Sequence, residues 1–257
     1  GLKGAACVSV MPAGGFTLLL LNAPEVEADE LKAAVRWRIR DLIDFHIDDA
    51  VIDVFDVPGQ QERGRPKMMY VVAARAATVQ AHIELIEGSG LELKAIDIPE
   101  LVQRNLAARL PEDGSGVALL YLSRGSGLLT LTREKTLYLA RNLDLGVDQL
   151  AAESLAGSEG PSEALRRLLD GVVLEVQRSL DYYESHFSLP PIGTLVIAPL
   201  ERDVPGMLSY VADNLGVAVR MLDVNVLLDA PAAPGEADQA RCLPAIGAAL
   251  RTEETTP

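Results

Sequence analysis

Between residues 162 and 187 the apolar side chains return at steps of three or four: Leu165, Leu168, Leu169, Val172, Val176, Leu180, Tyr183 and Phe187. At 3.6 residues per turn these positions share one face, so the spacing predicts a single long amphipathic helix. Ser162 stands at its start as a cap, with Glu163 in the first turn. Leu189-Pro190-Pro191 ends it, because proline lacks an amide proton and restricts the residue before it. Gly171 is its one weak position. Ahead of this helix, residues 117–123, 128–132 and 137–141 read as three strands with no helix between them. Behind it, strand 194–198, helix 204–215, strand 217–222 and helix 244–250 alternate.

The first part of the chain has a different pattern. Two short apolar runs, 5–11 and 16–21, flank the turn Pro12-Ala-Gly-Gly15 and read as strands. Over residues 27–45 Leu31, Val35, Ile39 and Leu42 mark one face of a helix, with Arg36, Arg38, Arg40 and Asp41 around it. Strands follow at 51–57 and 68–74, separated by a polar loop over 58–66. A helix over 76–87 ends at Gly88-Ser-Gly90, then comes strand 91–98 and a helix from Pro99 to residue 110. Pro111 to Gly116 reads as a linker, 230–237 as a mobile Pro/Ala/Gly-rich excursion, and 251–257 as a disordered polar tail.

From residue 117 onward the order is strand, strand, strand, helix, strand, helix, strand, helix, which is that of the ribonuclease-H-like half of an actin-type fold. The predicted class is therefore α/β, an actin-like two-lobed fold. Its first lobe is 1–116, carrying a small inserted α+β subdomain over about 22–75, and its second lobe is 117–257. Three stretches also resemble PilM-type proteins, the actin-like components of type IV pilus assembly. They are Glu175-Val-Gln-Arg-Ser-Leu-Asp-Tyr-Tyr-Glu-Ser185, Ala33-Ala-Val-Arg-Trp37 with Asp44-Phe45, and Val71-Val-Ala-Ala-Arg75 followed by a helix and Gly90-Leu91. Together they span nearly the whole chain. The resemblance implies that the first strands of the first lobe, which carry a phosphate-facing glycine turn with Asp, are missing.

Composition narrows the partners. The chain has 257 residues with 49% apolar content, enough for a sizeable core. Lys and Arg total 23 against 37 Asp and Glu, a formal charge of −14 that repels DNA and anionic bilayers and favours partners with basic segments. The run 16–21 is far short of the roughly 20 apolar residues of a spanning helix, and no secretory signal is visible. Cys7 and Cys242 read as two reduced cytoplasmic thiols rather than as a disulfide framework or metal site.

In actin-like ATPases, the first hairpin of the second lobe carries an Asp-X-Gly turn beside the phosphates and Mg²⁺. The matching turn here, Leu122-Ser-Arg-Gly-Ser-Gly127, has the glycines without the acid. Gly125 and Gly127 read as hairpin residues supplying positive φ. Where the family places adenosine-binding glycines, this chain has Pro199-Leu-Glu-Arg-Asp203, whose side chains would obstruct a base. All three nucleotide contacts thus fail together, and the expectation is a non-catalytic protein with no cofactor; ATP and Mg²⁺ enter only if the alternative, a nucleotide-binding ATPase of pilus or type II secretion assembly, holds.

Other chemistry is sparse. His46, His82 and His186 lack metal-ligand spacing. Asp48, Asp49, Asp53 and Asp56 read as a solvated surface, and Ser123 and Ser126 lack a nucleophile elbow. Trp37, the only tryptophan, lies off the apolar stripe of its helix. By default a large aromatic is a core contact; the functional alternative makes it a wall of a peptide groove, with Arg36 and Arg40 on the same side and Asp41 and Asp44 meeting a basic peptide residue. The resemblance, strongest to the MshI branch, implies a cytoplasmic MSHA-type pilus scaffold peripheral to the inner membrane. It would bind the N-terminal peptide of a PilN-like inner-membrane protein, with a homodimer as a blander reading.

Overall fold

The computed structural model describes residues 2–27, 30–57, 67–154, 162–228 and 234–252. The expected loop at 58–66, the start of the excursion at 230–233 and the tail from 253 lie outside these. Contacts divide the chain into two compact units, one running to Pro99 and one from Glu100 to Arg251.

The first unit contains two sheets. Strand β1 (Ala6–Val10) pairs in parallel with β5 (Glu92–Asp97), and helix α2 (Ala76–Gly88) packs on β5. Strand β2 (Phe16–Asn22) enters a separate antiparallel sheet in the order β2, β4 (Met68–Arg75), β3 (Ala50–Asp56). The two runs flanking Pro12-Ala-Gly-Gly15 are therefore not a hairpin. Helix α1 (Leu31–Ile39) lays Val35 and Ile39 on Met69, Val71 and Ala73 of the central strand, with Leu19, Leu21, Ile52 and Val54 beside them. Strands β2, β4 and β3 with α1 thus form a small α+β layer. The helix stops at Ile39, six residues before the predicted end, and the next residues turn instead. Leu42, predicted to extend the buried stripe, is consequently 53% exposed.

The second unit opens with α3 (Pro99–Ala107) and holds a five-stranded sheet in the order β10 (Ala218–Met221), β9 (Thr194–Ile197), β6 (Val117–Leu122), β7 (Gly127–Arg133), β8 (Thr136–Leu143). Strand β7 runs antiparallel to both neighbours, while β9 and β10 run parallel to β6. Three meandering strands followed by two parallel ones are the ribonuclease-H-like arrangement, so the chain has the actin-like α/β fold. The segment 111–116, read from the sequence as a linker, is fastened within this unit. Glu112 takes a bidentate pair from Arg220, at 2.8 and 2.9 Å, and Asp113 accepts the Lys135 amide at 3.0 Å.

Helix α5 (Glu163–Phe187) covers one face of β7 and β8. It buries Leu165, Leu169, Val172, Val176, Leu180 and Tyr183, and each fully buried large aliphatic contributes roughly 1.5–3 kcal/mol. Ser162 caps it as predicted, accepting the Leu165 amide at 3.0 Å. At the other end Ser188 closes it in the left-handed region, at φ 51°, just ahead of the prolines. On the opposite face α3 and α7 (Glu236–Ala249) meet: Leu106, Ala107 and Leu243 join Val117, Leu119, Val196 and Leu222 in one core. Helix α7 starts eight residues ahead of its predicted start, with Pro244 in its interior. The lost amide bond there is outweighed by burial of Ala240, Leu243 and Ala248. Glu236 and Ala237, assigned by sequence to the excursion, belong to this helix. Helix α4 (Val147–Ser154) was not predicted, and α6 (Met207–Asn214) is shorter than expected.

Candidate functional site

The five candidate residues lie on α1 and the turn that follows it, and their roles divide. Arg36 is turned inward along the chain: Nη2 donates to the Ile47 carbonyl at 2.6 Å and Nη1 to that of Ala50 at 3.3 Å. It therefore ties the 3-10 turn Ile47–Asp49 to the helix and does not share the Trp37 side as predicted. Asp44 is likewise tied to the fold. Arg75 reaches its carboxylate at 3.5 Å and its carbonyl at 3.3 Å, and stacks over Phe45 with Cζ 4.6 Å from the ring centroid.

Trp37, Arg40 and Asp41 form a surface group. Trp37 is 75% exposed, which overturns its reading as a core contact: Val35 and Ile39 already fill the helix's inward face, and position 37 points away from it. Arg40 lies over the indole, with Cζ 5.4 Å from the ring centroid, and its Nε faces Asp41 at 3.3 Å. Cation and ring attract through the ring quadrupole, a contact of about 0.5–1 kcal/mol at an exposed site. Beyond them an open depression of 720 Å³ is lined by Arg40, Asp41, Ile43, Asp44, Phe45, His46 and Ile47. Together with exposed Leu42 this gives an amphipathic patch of aromatic, aliphatic and both charges. Sequence reasoning missed Leu42, whose place in the apolar stripe pointed to burial.

The β6–β7 turn and the loop after β9 are joined within the second unit. Ser123 closes the β6–β7 turn, donating its amide and its hydroxyl to the Ser126 carbonyl, both at 2.8 Å. The carbonyls of Ser123 and Arg124 then accept the Val147 and Asp148 amides, at 2.8 and 3.1 Å, and so satisfy the start of α4. Gly146 allows this approach, since a Cβ there would stand 2.2 Å from the Arg124 oxygen. Neither Gly125 nor Gly127 takes a positive φ, contrary to expectation. Gly127 is needed for space, because a Cβ would sit 2.9 Å from Leu122 Cδ2. Arg124 pairs with Glu201 at 3.6 Å and Arg202 with Asp148 at 2.9 Å, linking the turn, α4 and the loop after β9 by opposite charges.

The loop 199–206 does not close the space behind it. A cavity of 700 Å³ lies at the carboxyl ends of β9 and β10, lined by Pro199, Leu200, Leu208, Met221 and Gln239 among others. Elsewhere, His82 Nε2 meets Ser9 Oγ at 2.7 Å and His186 stacks on Tyr182. Among the described residues no three His, Cys, Asp or Glu are grouped to hold a metal ion, and no helix is long and apolar enough to cross a membrane.

No family model and no curated protein matches the chain. Solved structures do. The PilM-PilN type IV pilus biogenesis complex is similar to it at a TM-score of 0.71, with 22% identity over 95% of this chain and 77% of that one. The cytoplasmic domain of EpsL, an inner-membrane component of the type II secretion system of Vibrio cholerae, matches at a TM-score of 0.50 and 13% identity, over 97% of this chain and 76% of that one. These likenesses concern the fold.

Proposed function

We propose that the chain is a non-catalytic scaffold of a type IV pilus assembly system of the MSHA type, similar to the MshI branch of PilM-like proteins. In this reading it binds the cytoplasmic N-terminal peptide of a PilN-like inner-membrane protein and is held at the membrane from the cytoplasm through such partners. The observation that carries it is the exposure of Trp37 on a helix whose other face is packed, with Leu42 exposed in the turn that follows. Exposed aromatic and Arg anchors of this kind supply most of the energy of protein interfaces. The fold likeness to the PilM-PilN complex supports the choice of partner class. The acid-free β6–β7 turn and its ion pair to the loop after β9 support the non-catalytic part, since the turn offers a cation, Arg124, paired with Glu201, and no carboxylate of its own for Mg²⁺.

The test is fluorescence anisotropy with labelled N-terminal peptides of the candidate membrane partners, repeated on Trp37→Ala. Saturable binding that the substitution weakens supports the assignment; equal binding by the variant, or none by the native chain, removes it. A parallel titration with a fluorescent ATP analogue and Mg²⁺ is expected to show no micromolar binding. Saturable binding there would favour the nucleotide-binding ATPase instead.

A further inference from the structure

The cavity at the ends of β9 and β10 is lined by the second unit alone and shares no residue with the Trp37 patch. In open α/β sheets this is where ligands sit, outside the carboxyl ends of parallel strands. Its 700 Å³ falls within the roughly 300–1,000 Å³ of ligand pockets. Two properties of its lining restrict the occupant. The first is charge: Asp203, Asp223 and Glu236 line it against one cation, Arg202, which already pairs with Asp148 at 2.9 Å. A nucleotide would bring phosphates to three carboxylates and no unpaired cation. The second is apolar surface that no described residue of this unit covers fully, Leu208 at 39% and Met221 at 37% exposure. A bare metal ion leaves these side chains in water, and the three acids are not grouped as metal ligands.

From this combination we propose that the cavity is a docking site for a polypeptide segment of a partner protein, carrying Lys or Arg beside aliphatic residues. The aliphatic side chains cover Leu208 and Met221, while the basic group meets the acidic rim. Rim charges of this kind set partner choice and encounter rate more than raw affinity. The site adds a second contact to the scaffold, and it stands whether or not the Trp37 patch binds its peptide.

Five methionines make the test direct. Met207 and Met221 line the cavity, whereas Met11, Met68 and Met69 belong to the other unit and serve as controls. The full chain, carrying ¹³C-methyl methionine, is titrated with acetyl-Leu-Lys-Leu-Arg-Leu-amide, with its acidic counterpart acetyl-Leu-Glu-Leu-Asp-Leu-amide, and with ATP and Mg²⁺. The expected result is saturable movement of the Met221 and Met207 methyl signals with the basic peptide alone. The Asp203→Asn/Glu236→Gln double variant should weaken it about threefold or more. Equal response to the acidic peptide, response to ATP, shifts confined to the control methionines, or no shift at all would each overturn the proposal.

Discussion

Arg40 lies with its guanidinium over the indole of Trp37, 5.4 Å from the ring centroid, so the one tryptophan of the chain is shielded on a single face by its own neighbour. Because the ring is otherwise 75% exposed, it contributes little to folding. Trp37→Ala is expected to cost no more than about 1 kcal/mol, the size of the exposed cation–ring contact it removes. Its effect on peptide binding should be larger, about 2 kcal/mol or roughly thirtyfold if the ring is an interface anchor. Because the variant has no tryptophan, urea melts followed by circular dichroism check the first point and anisotropy with the labelled peptide the second; in the native chain acrylamide should quench the free form readily and the peptide-bound form less.

Glycine positions give an opposed pair of outcomes. Gly146→Ala drives a Cβ to 2.2 Å from the Arg124 carbonyl oxygen, a backbone atom that cannot yield without opening the start of α4. The expected loss is about 2–3 kcal/mol. Gly171 lies within α5 with open space around it, and Ala there should add about 0.5–1 kcal/mol. Urea midpoints at an unchanged slope measure the two.

What could be read along the chain was whatever local periodicity governs. Helix α5, with its Ser162 cap and its buried face, is a property of 25 consecutive residues, and strands β6 to β8 carry sustained apolar runs. Pairing is not local: the separation of β1 and β2 into different sheets depends on partners at residues 92–97 and 68–75. Helix α4 is only eight residues long and shows too few turns for a pattern. Pro244 suggested a helix start because proline favours first turns, yet burial on both sides holds it inside α7. At the candidate site Trp37, Arg40 and Asp41 stand next to one another in the structure. Sequence reasoning assigned Arg36 to the same side because helical spacing does not show that a long side chain will reach the carbonyls of residues 47 and 50. The cavity at β9 and β10 was not legible in the sequence, because loop composition reports the volume of side chains and not where the loop carries them.

Glu112 and Arg220 connect the segment after α3 to the edge strand β10 across 108 residues of sequence. The hydrogen bonds from Arg220 hold the Glu112 carboxyl below its ordinary range, against an opposing push from burial. A carboxyl with a depressed folded pKa binds fewer protons than the unfolded chain does, so its stabilisation is present above the unfolded value. It is lost as pH falls through the folded one. Glu112→Gln should cost about 1–2 kcal/mol at neutral pH and flatten the acid limb of the stability profile. Denaturation midpoints at pH 7 and pH 3 for both proteins supply the comparison; parallel profiles would show that the pair contributes nothing through charge.

Tyr183 gives the complementary alkaline case. The ring is fully buried on α5, edge-on to Tyr138 with centroids 5.5 Å apart and facing Arg133 at 5.9 Å. Its hydroxyl has no hydrogen-bond partner among the described residues. Burial pushes the phenol up to about 12, with Arg133 pulling in the opposite direction. A raised folded pKa means that the native state keeps its proton where the unfolded chain has released it. The contribution is therefore whole below the unfolded value near 10 and is lost as pH climbs toward 12. Tyr183→Phe keeps the ring and deletes the unpaired hydroxyl, so it should be neutral or mildly stabilising at pH 7 and should lessen the alkaline loss. Tyr183→Ala leaves a hole beneath α5 and should cost about 3–5 kcal/mol. Urea melts at pH 7 and pH 11 separate these effects. A Phe variant that loses more than about 1 kcal/mol at pH 7 would show that the hydroxyl is paired in solution.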